Sequence, residues 1–238
     1  MIGCARHRLL RFGVQSSPVG GFAPPSQARC AARPANHHAA HVTLALVMNL
    51  APLSLSSLPL PLPWPLSRHL ERELRSDHAG ETGAVCIDQG ISAVARWRKD
   101  AELIAFAAQH GPTEAEHLRL VEAWLPASRR SRLLGPWRLA GWLTGALPAL
   151  LGRRAVYGTI AAVETFVDQH YQQQIDHITQ FGGPEGLLPL LVRCQADEQH
   201  HRDEAAALAG VGLPVCLRAW CALVGMGSAF AVVLARRI

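Results

Sequence analysis

A chain of 238 residues, 49% hydrophobic and with a formal net charge of +5, can bury one sizeable core and still carry an extension. The charge is uneven: residues 1–70 hold six arginines and no acidic residue, which leaves 17 of the 23 basic residues against all 18 acidic ones in the remainder, a net of −1. A nearly neutral folded part argues against a nucleic-acid footprint, and six cysteines without CxxC spacing read as reduced thiols of a cytosolic chain rather than a disulfide framework.

Residues 1–66 are rich in Pro, Ser, Ala and Leu and show no sustained helical period. Repeated prolines remove backbone donors and fix φ, so no regular helix is expected there. The acid-free, arginine-bearing leader is similar to an organelle transit peptide, and 41–52 holds a short apolar run like a signal h-region, but Asn49 and Pro52 interrupt it. The reading adopted is a disordered extension, or an over-long start with Met48 as the true beginning.

From Ser67 the pattern turns helical, with no convincing period-2 run. A first helix is expected over about 68–98. Asp100 is placed to cap a second, which Gly111-Pro112 should interrupt and Pro126 should close. Next comes 133–152, an apolar crossover with one charge, Arg138, and breaks at Pro136 and Pro148. A third helix over about 154–181 ends at Gly182-Gly183-Pro184, and a fourth spans about 187–208 as its antiparallel neighbour. Residues 219–235 run without a charge to Arg236-Arg237. About 20 apolar residues span a bilayer, so both apolar segments, which carry Trp137, Trp142 and Trp220, read as dipping into one leaflet.

Chemistry enters with two Glu-x-x-His pairs, Glu114 with His117 and Glu198 with His201. Positions three apart on a helix share a face, so each pair offers a metal a carboxylate and an imidazole. Glu81 precedes the first pair by 33 residues and Glu164 precedes the second by 34. Helix-with-Glu followed by helix-with-Glu-x-x-His, twice, is the ligand pattern of di-iron carboxylate four-helix bundles. The fold class expected is therefore all-α: a ferritin-like four-helix bundle over 67–238, with a long apolar crossover and an additional C-terminal apolar helix. Four glutamates balance two divalent cations, and carboxylate with imidazole suits iron or manganese better than zinc. Small residues around Glu81 (Ala79, Gly80, Gly83, Ala84) should allow close helix approach. Asp77 and Asp203 are candidates to orient ligand imidazoles or plain surface charges, whereas His200 points away from His201.

The motif Ser76-Asp-His-Ala-Gly-Glu-Thr-Gly-Ala-Val85, the run Ala155-Val-Tyr-Gly-Thr-Ile-Ala-Ala-Val-Glu164 continuing to Tyr171, and Asp197-Glu-Gln-His-His-Arg-Asp-Glu204 resemble the demethoxyubiquinone hydroxylases. The resemblance covers roughly residues 71–238. It implies a monooxygenase that uses dioxygen to hydroxylate the ring of a polyprenylated methoxy-benzoquinol in ubiquinone biosynthesis. Two iron ions would be held with Glu81 and Glu164 as terminal ligands, Glu114 and Glu198 bridging, and His117 and His201 completing the two spheres. Expected partners are the quinol lipid, a membrane surface, an electron donor or reduced quinone, and other ubiquinone-biosynthesis proteins. The expected location is the cytoplasmic face of a bacterial inner membrane, or the mitochondrial inner membrane if residues 1–66 are a transit peptide.

The sequence departs from that family at Asp88, where a tyrosine is expected, at Gly111-Pro112, and at Gln169, where a histidine is common and His170 is left as the local imidazole. No glycine-rich dinucleotide fingerprint is present, so electrons must arrive from outside. The alternatives carried are an iron-storage or ferroxidase protein, which the apolar segments disfavour, and a non-catalytic lipid-quinone-binding scaffold, which six intact ligands disfavour.

Overall fold

Ser67 opens the first helix by accepting a hydrogen bond from the Leu70 N–H at 3.2 Å, which satisfies one of the amides a helix start leaves unpaired. The computed structural model describes residues 66–238, so the expectations for 1–65 lie outside the described residues. Helix α1 (Arg68–Arg98) ends at Lys99, whose φ of 57° turns the chain. The Asp100 carboxylate then accepts from the Leu103 N–H and starts α2 (Ala101–Trp124). A short 3-10 turn at Ala127–Arg129 leads to α3 (Leu134–Leu151), α4 (Arg153–Phe181), α5 (Leu187–Ala209) and α6 (Val215–Ala235). No strand occurs among the described residues. The protein is an all-α bundle with an apolar C-terminal helix.

The expected interruption at Gly111-Pro112 does not occur: α2 is one helix with Pro112 inside it. Proline disfavours helix partly by clashing with the Cβ of the preceding residue, and Gly111 has no Cβ. What remains is the missing hydrogen bond to the Ala108 carbonyl and the crowding of that carbonyl by the proline ring. The crossover is likewise one unbroken helix. Pro136 falls in its first turn, where an N–H has no intrahelical acceptor to lose, and Pro148 falls in its last.

Helices α1 and α2 pack as one hairpin and α4 and α5 as another. Their apolar residues form two layers. One holds Ile91, Leu103, Phe106, Tyr157 and Ala205; the other holds Leu74, Val121, Trp124, Leu187 and Leu191. Every bundle helix contributes to both layers, and the polar residues singled out above fall between them along each helix.

Helix α3 lies along α1 at backbone contact. A Cβ on Gly145 would collide with the Ile87 carbonyl oxygen, one on Gly141 with that of Gly83, and one on Gly90 with that of Trp142. Gly80, expected to serve the same approach, has nothing within 4 Å of a Cβ. Helix α6 is pinned to α4 by Trp220 Nε1 donating to Thr159 Oγ1 at 2.9 Å and by Cys221 against the Gly158 carbonyl. Its end is tied to α1 by Arg236, whose guanidinium reaches the buried Glu73 carboxylate at 2.6 Å.

Gly145→Ala should therefore destabilise the chain by about 1–3 kcal/mol through overpacking, whereas Gly80→Ala should be neutral or stabilising by roughly 0.5–1 kcal/mol. Thermal unfolding of the two variants checks this, and equal effects would contradict the close α1–α3 contact.

Candidate metal centre

Glu81 on α1, Glu114 and His117 on α2, Glu164 on α4, and Glu198 and His201 on α5 are all buried. They meet in the layer between the two apolar cores. One ligand atom each from Glu81, Glu114, His117 and Glu198 lies within 4.8 Å of the others, a group that could hold a metal ion. His201 adjoins it, with Nδ1 at 2.9 Å from Glu114 and 3.8 Å from Glu198. Glu164 interacts with Glu198, Glu114 and Glu81 across the same space.

Both imidazoles turn Nδ1 inward. His117 Nδ1 is 3.0 Å from Glu198 Oε1, while Nε2 faces Asp197 Oδ2 at 3.3 Å. Asp197 is held in turn by Arg193 Nε at 3.0 Å. A carboxylate on the far nitrogen fixes the ring plane and leaves Nδ1 for a metal. This partner was not among those expected, and of the two that were, Asp77 does something else. Its carboxylate accepts from His170 Nε2 at 2.9 Å and Gln174 Nε2 at 2.7 Å. Asp203 is exposed and pairs with its neighbour Arg202. Tyr171 was also missed: its hydroxyl donates to Glu81 Oε1 at 2.5 Å. The available signal was its spacing, two helical turns beyond Glu164, the same offset that separates Asp88 from Glu81.

Burial raises the carboxyl pKa of Glu81 and Glu164 well above the ordinary range and raises Glu114, and neighbouring carboxylates add to each. Burial would raise Glu198 too, but hydrogen bonds from His117 and His201 bring it down to about 2. Burial works to lower both histidines and is overcome. The carboxylates around His117 hold it well above its usual value, and Glu114 and Glu198 bring His201 up to about 10. Without metal the centre is therefore held together by protons.

Each ion buried without compensation costs several kcal/mol, against a total stability of about 5–15 kcal/mol, so four bare carboxylates are not sustainable. Among the described residues Glu114 Oε2 and Glu198 Oε2 are nevertheless buried without a well-formed hydrogen bond, and His201 Nδ1, 2.9 Å from Glu114 Oε1, is poorly aligned for one. Such atoms on three converging side chains, in a mixed oxygen and nitrogen set, fit divalent cations.

Glu81, Glu114, Glu164 and Glu198 also line one end of a cavity of about 390 Å³. The rest of its wall is mostly apolar and is shared by α1 (Gly83, Ile87), α3 (Trp137, Gly141), α4 (Val163, Val167) and α6 (Val224, Phe230). Asp88 is buried on another side, in a small gap with His110, Glu114 and Glu164. Burial and the nearby Glu114 push its pKa up to about 8. A Cβ on Gly111 would rest 3.6 Å from the Asp88 carboxylate, so these two departures from the family pattern face each other.

Metal uptake by the metal-free chain should release protons, and apparent affinity should rise with pH between about pH 6 and 8, because the ligands carry protons that the metal must displace. Calorimetry in buffers of different ionisation enthalpy measures the release, and pH-independent binding would contradict this proton inventory. Asp197→Asn should weaken metal binding roughly 10–100-fold with the fold intact, which a competition titration against a chelator reads directly.

The family model described as "Ubiquinone biosynthesis protein COQ7" matches residues 68–235. A 3-demethoxyubiquinol 3-hydroxylase of Rhodospirillum rubrum is 39% identical over 140 residues, 56% of this chain and 62% of the relative. One of Legionella pneumophila (strain Lens) is 31% identical over 153 residues, 63% of this chain and 70% of the relative. A protein of Dictyostelium discoideum named NADPH-dependent 3-demethoxyubiquinone 3-hydroxylase, mitochondrial, is 33% identical over 135 residues, 56% of this chain and 61% of the relative. The matched segment thus spans less than two thirds of the Rhodospirillum and Dictyostelium proteins. All six buried Glu and His residues lie inside the segment that the family model covers, and the chain belongs to the ubiquinone biosynthesis protein COQ7 family.

Proposed function

We propose that this chain is a di-iron monooxygenase that uses dioxygen to hydroxylate the ring of a polyprenylated methoxy-benzoquinol at a membrane surface. The observation that carries the reading is the joining of two unlike environments: four buried glutamates line a mostly apolar cavity to which the two most apolar helices of the fold, α3 and α6, contribute part of the wall. A ferroxidase needs the first and has no use for the second. The names of the relatives supply the substrate class, since they act on 3-demethoxyubiquinol or 3-demethoxyubiquinone.

In this reading Glu81, Glu114, His117, Glu164, Glu198 and His201 hold the irons, which when bound supply the redox chemistry toward dioxygen. The remaining tasks fall to the protein. Asp197 fixes His117 so that Nδ1 stays directed inward. Tyr171 donates to Glu81 and keeps its proton, because burial and the adjacent carboxylate raise its pKa well above the ordinary phenol value. The α3 and α6 walls exclude water and receive the flat ring, while a polyprenyl tail stays in hydrocarbon. Thr144 and Ser228 are the hydroxyls available on those walls to meet ring oxygens.

The chain would meet its substrate as a peripheral membrane protein. Helix α6 is the one described helix long and apolar enough to cross a bilayer, yet it lies along α4 and α1, with Leu223, Met226 and Phe230 between 57% and 67% exposed. Electrons come from an external donor; the NADPH in the name of the Dictyostelium relative makes a reduced nicotinamide the first to try.

Purified chain should hold two irons and convert a polyprenyl methoxy-benzoquinol, given dioxygen and reductant, to the hydroxylated ring seen by mass spectrometry. Glu198→Ala should lose iron and turnover by more than the roughly 10–100-fold that removal of an outer hydrogen-bond partner costs. Iron without hydroxylation would leave the ferroxidase alternative standing, and full iron retention in the variant would overturn the ligand set.

A further inference from the structure

The two helices that wall the cavity have a charge pattern unlike the rest of the folded part. Residues 133–163 and 205–238 contain no aspartate or glutamate, yet both stretches carry arginines. Several of these are accounted for internally. Arg236 pairs with Glu73, Arg153 with Asp100 and Glu102, and Arg154 donates to the carbonyls of Ala209 and Val211. Arg138, Arg218 and Arg237 remain, with Arg132 just before α3. All four are exposed, and among the described residues none of their side chains has a hydrogen-bond or ion-pair partner.

Their placement follows the apolar surface. Along α6 the outward stripe runs from Arg218 through Ala222, Met226, Ala229 and Val233 to Arg237, at steps of three and four, so arginines bound it at both ends. On α3, Arg138 stands one turn before Trp142, next to the exposed Leu139 and Leu143. The two helices meet at one corner, where the Arg132 N–H donates to the Ile238 carbonyl at 3.0 Å. Arg132 and Arg237 therefore flank the same point.

We propose that α3 and α6 dock on a bilayer bearing anionic phospholipid, with Arg132, Arg138, Arg218 and Arg237 meeting its negatively charged headgroups. This rests on the reading that these helices face a membrane, and it adds which lipid class they select. Apolar burial accounts for attachment to any bilayer; a surface free of acids with four unpaired guanidinium groups matches only a negative one. A second copy of this chain suits the surface less well, because a two-fold contact would set this arginine set against itself.

Each basic residue near an anionic surface strengthens partitioning roughly fivefold, so the four together should give a preference on the order of several hundredfold. Metal-loaded full chain is floated with vesicles of neutral phosphatidylcholine and with vesicles containing phosphatidylglycerol. Binding to both is expected, tighter by at least about tenfold on the anionic vesicles, with the difference collapsing near 1 M salt, where screening acts within about 3 Å. The Arg132→Gln, Arg138→Gln, Arg218→Gln, Arg237→Gln variant should bind both vesicle types alike, with helicity and iron content unchanged, and the matching lysine variant should keep the preference. Equal binding of the parent chain to both vesicles, or a glutamine variant that keeps its preference, overturns the headgroup proposal and leaves apolar docking intact. No binding to either vesicle overturns the docking reading itself, as does a dimer in light scattering that withholds the stripe from vesicles.

Discussion

Burying four carboxylates in the middle of a helical bundle is the constraint on which the rest of this structure depends. Apolar packing cannot balance that charge; only cations or protons can, and without metal the surroundings favour protons on both histidines and on Glu81 and Glu164. Much of the sequence around the site serves to keep those six side chains at one level. The two apolar layers set the helix registers from either side. Glu-x-x-His places two candidate ligands on one face of α2 and two on one face of α5. Outside the ligands, Asp197, Tyr171 and the His170–Asp77–Gln174 set hold single atoms in fixed directions.

A second constraint sits on α3. To wall a cavity that reaches the glutamates it must approach α1 more closely than side chains allow, and Gly141, Gly145 and Gly90 remove the obstruction where a Cβ would meet backbone oxygen. The same contact leaves the opposite face of α3 unpacked, with Leu147, Leu150 and Leu151 exposed. Helix α6 repeats the arrangement, with Val224 toward the bundle and Met226 and Val233 away from it. An apolar residue on these helices can therefore pack into the core, as Ala146 and Ala149 do, line the cavity or face outward, and hydropathy alone does not separate these roles.

The difference explains what was legible in the sequence. Caps are local, so Ser67, Asp100 and Gly182 mark helix ends that can be read from a few residues. The spacing of the candidate ligands is also local, and the convergence of the six side chains follows from the repeat of two motifs. Pro112 misled because its cost depends partly on the neighbour: beside Gly111 the clash with a preceding Cβ is absent and tertiary packing carries the helix through. Pro136 and Pro148 misled because their effect depends on which turn they occupy, and the start of α3 has no side-chain cap to announce it. Asp197 and Tyr171 escaped because each acts on a residue some 80 or 90 positions away, a pairing that only the assembled bundle makes.

Asp88 raised the difficulty of a fifth carboxylate in a site whose four glutamates already match two divalent cations. Its surroundings remove the difficulty. Asp88 follows Glu81 by seven residues as Tyr171 follows Glu164, so the two occupy equivalent places in the two halves of the motif. The Tyr171 phenol is kept neutral by burial beside Glu81. Burial and Glu114 act on Asp88 in the same direction, to about 8, which leaves it largely uncharged near neutrality. A protonated carboxyl is, like a phenol, a hydroxyl donor of short reach. Being smaller, it leaves a small gap beside Ile160 and His110, and the bare backbone of Gly111 lies over it. Asp88 and Gly111 thus pack against each other on one side of the centre, and the charge there stays with the four glutamates.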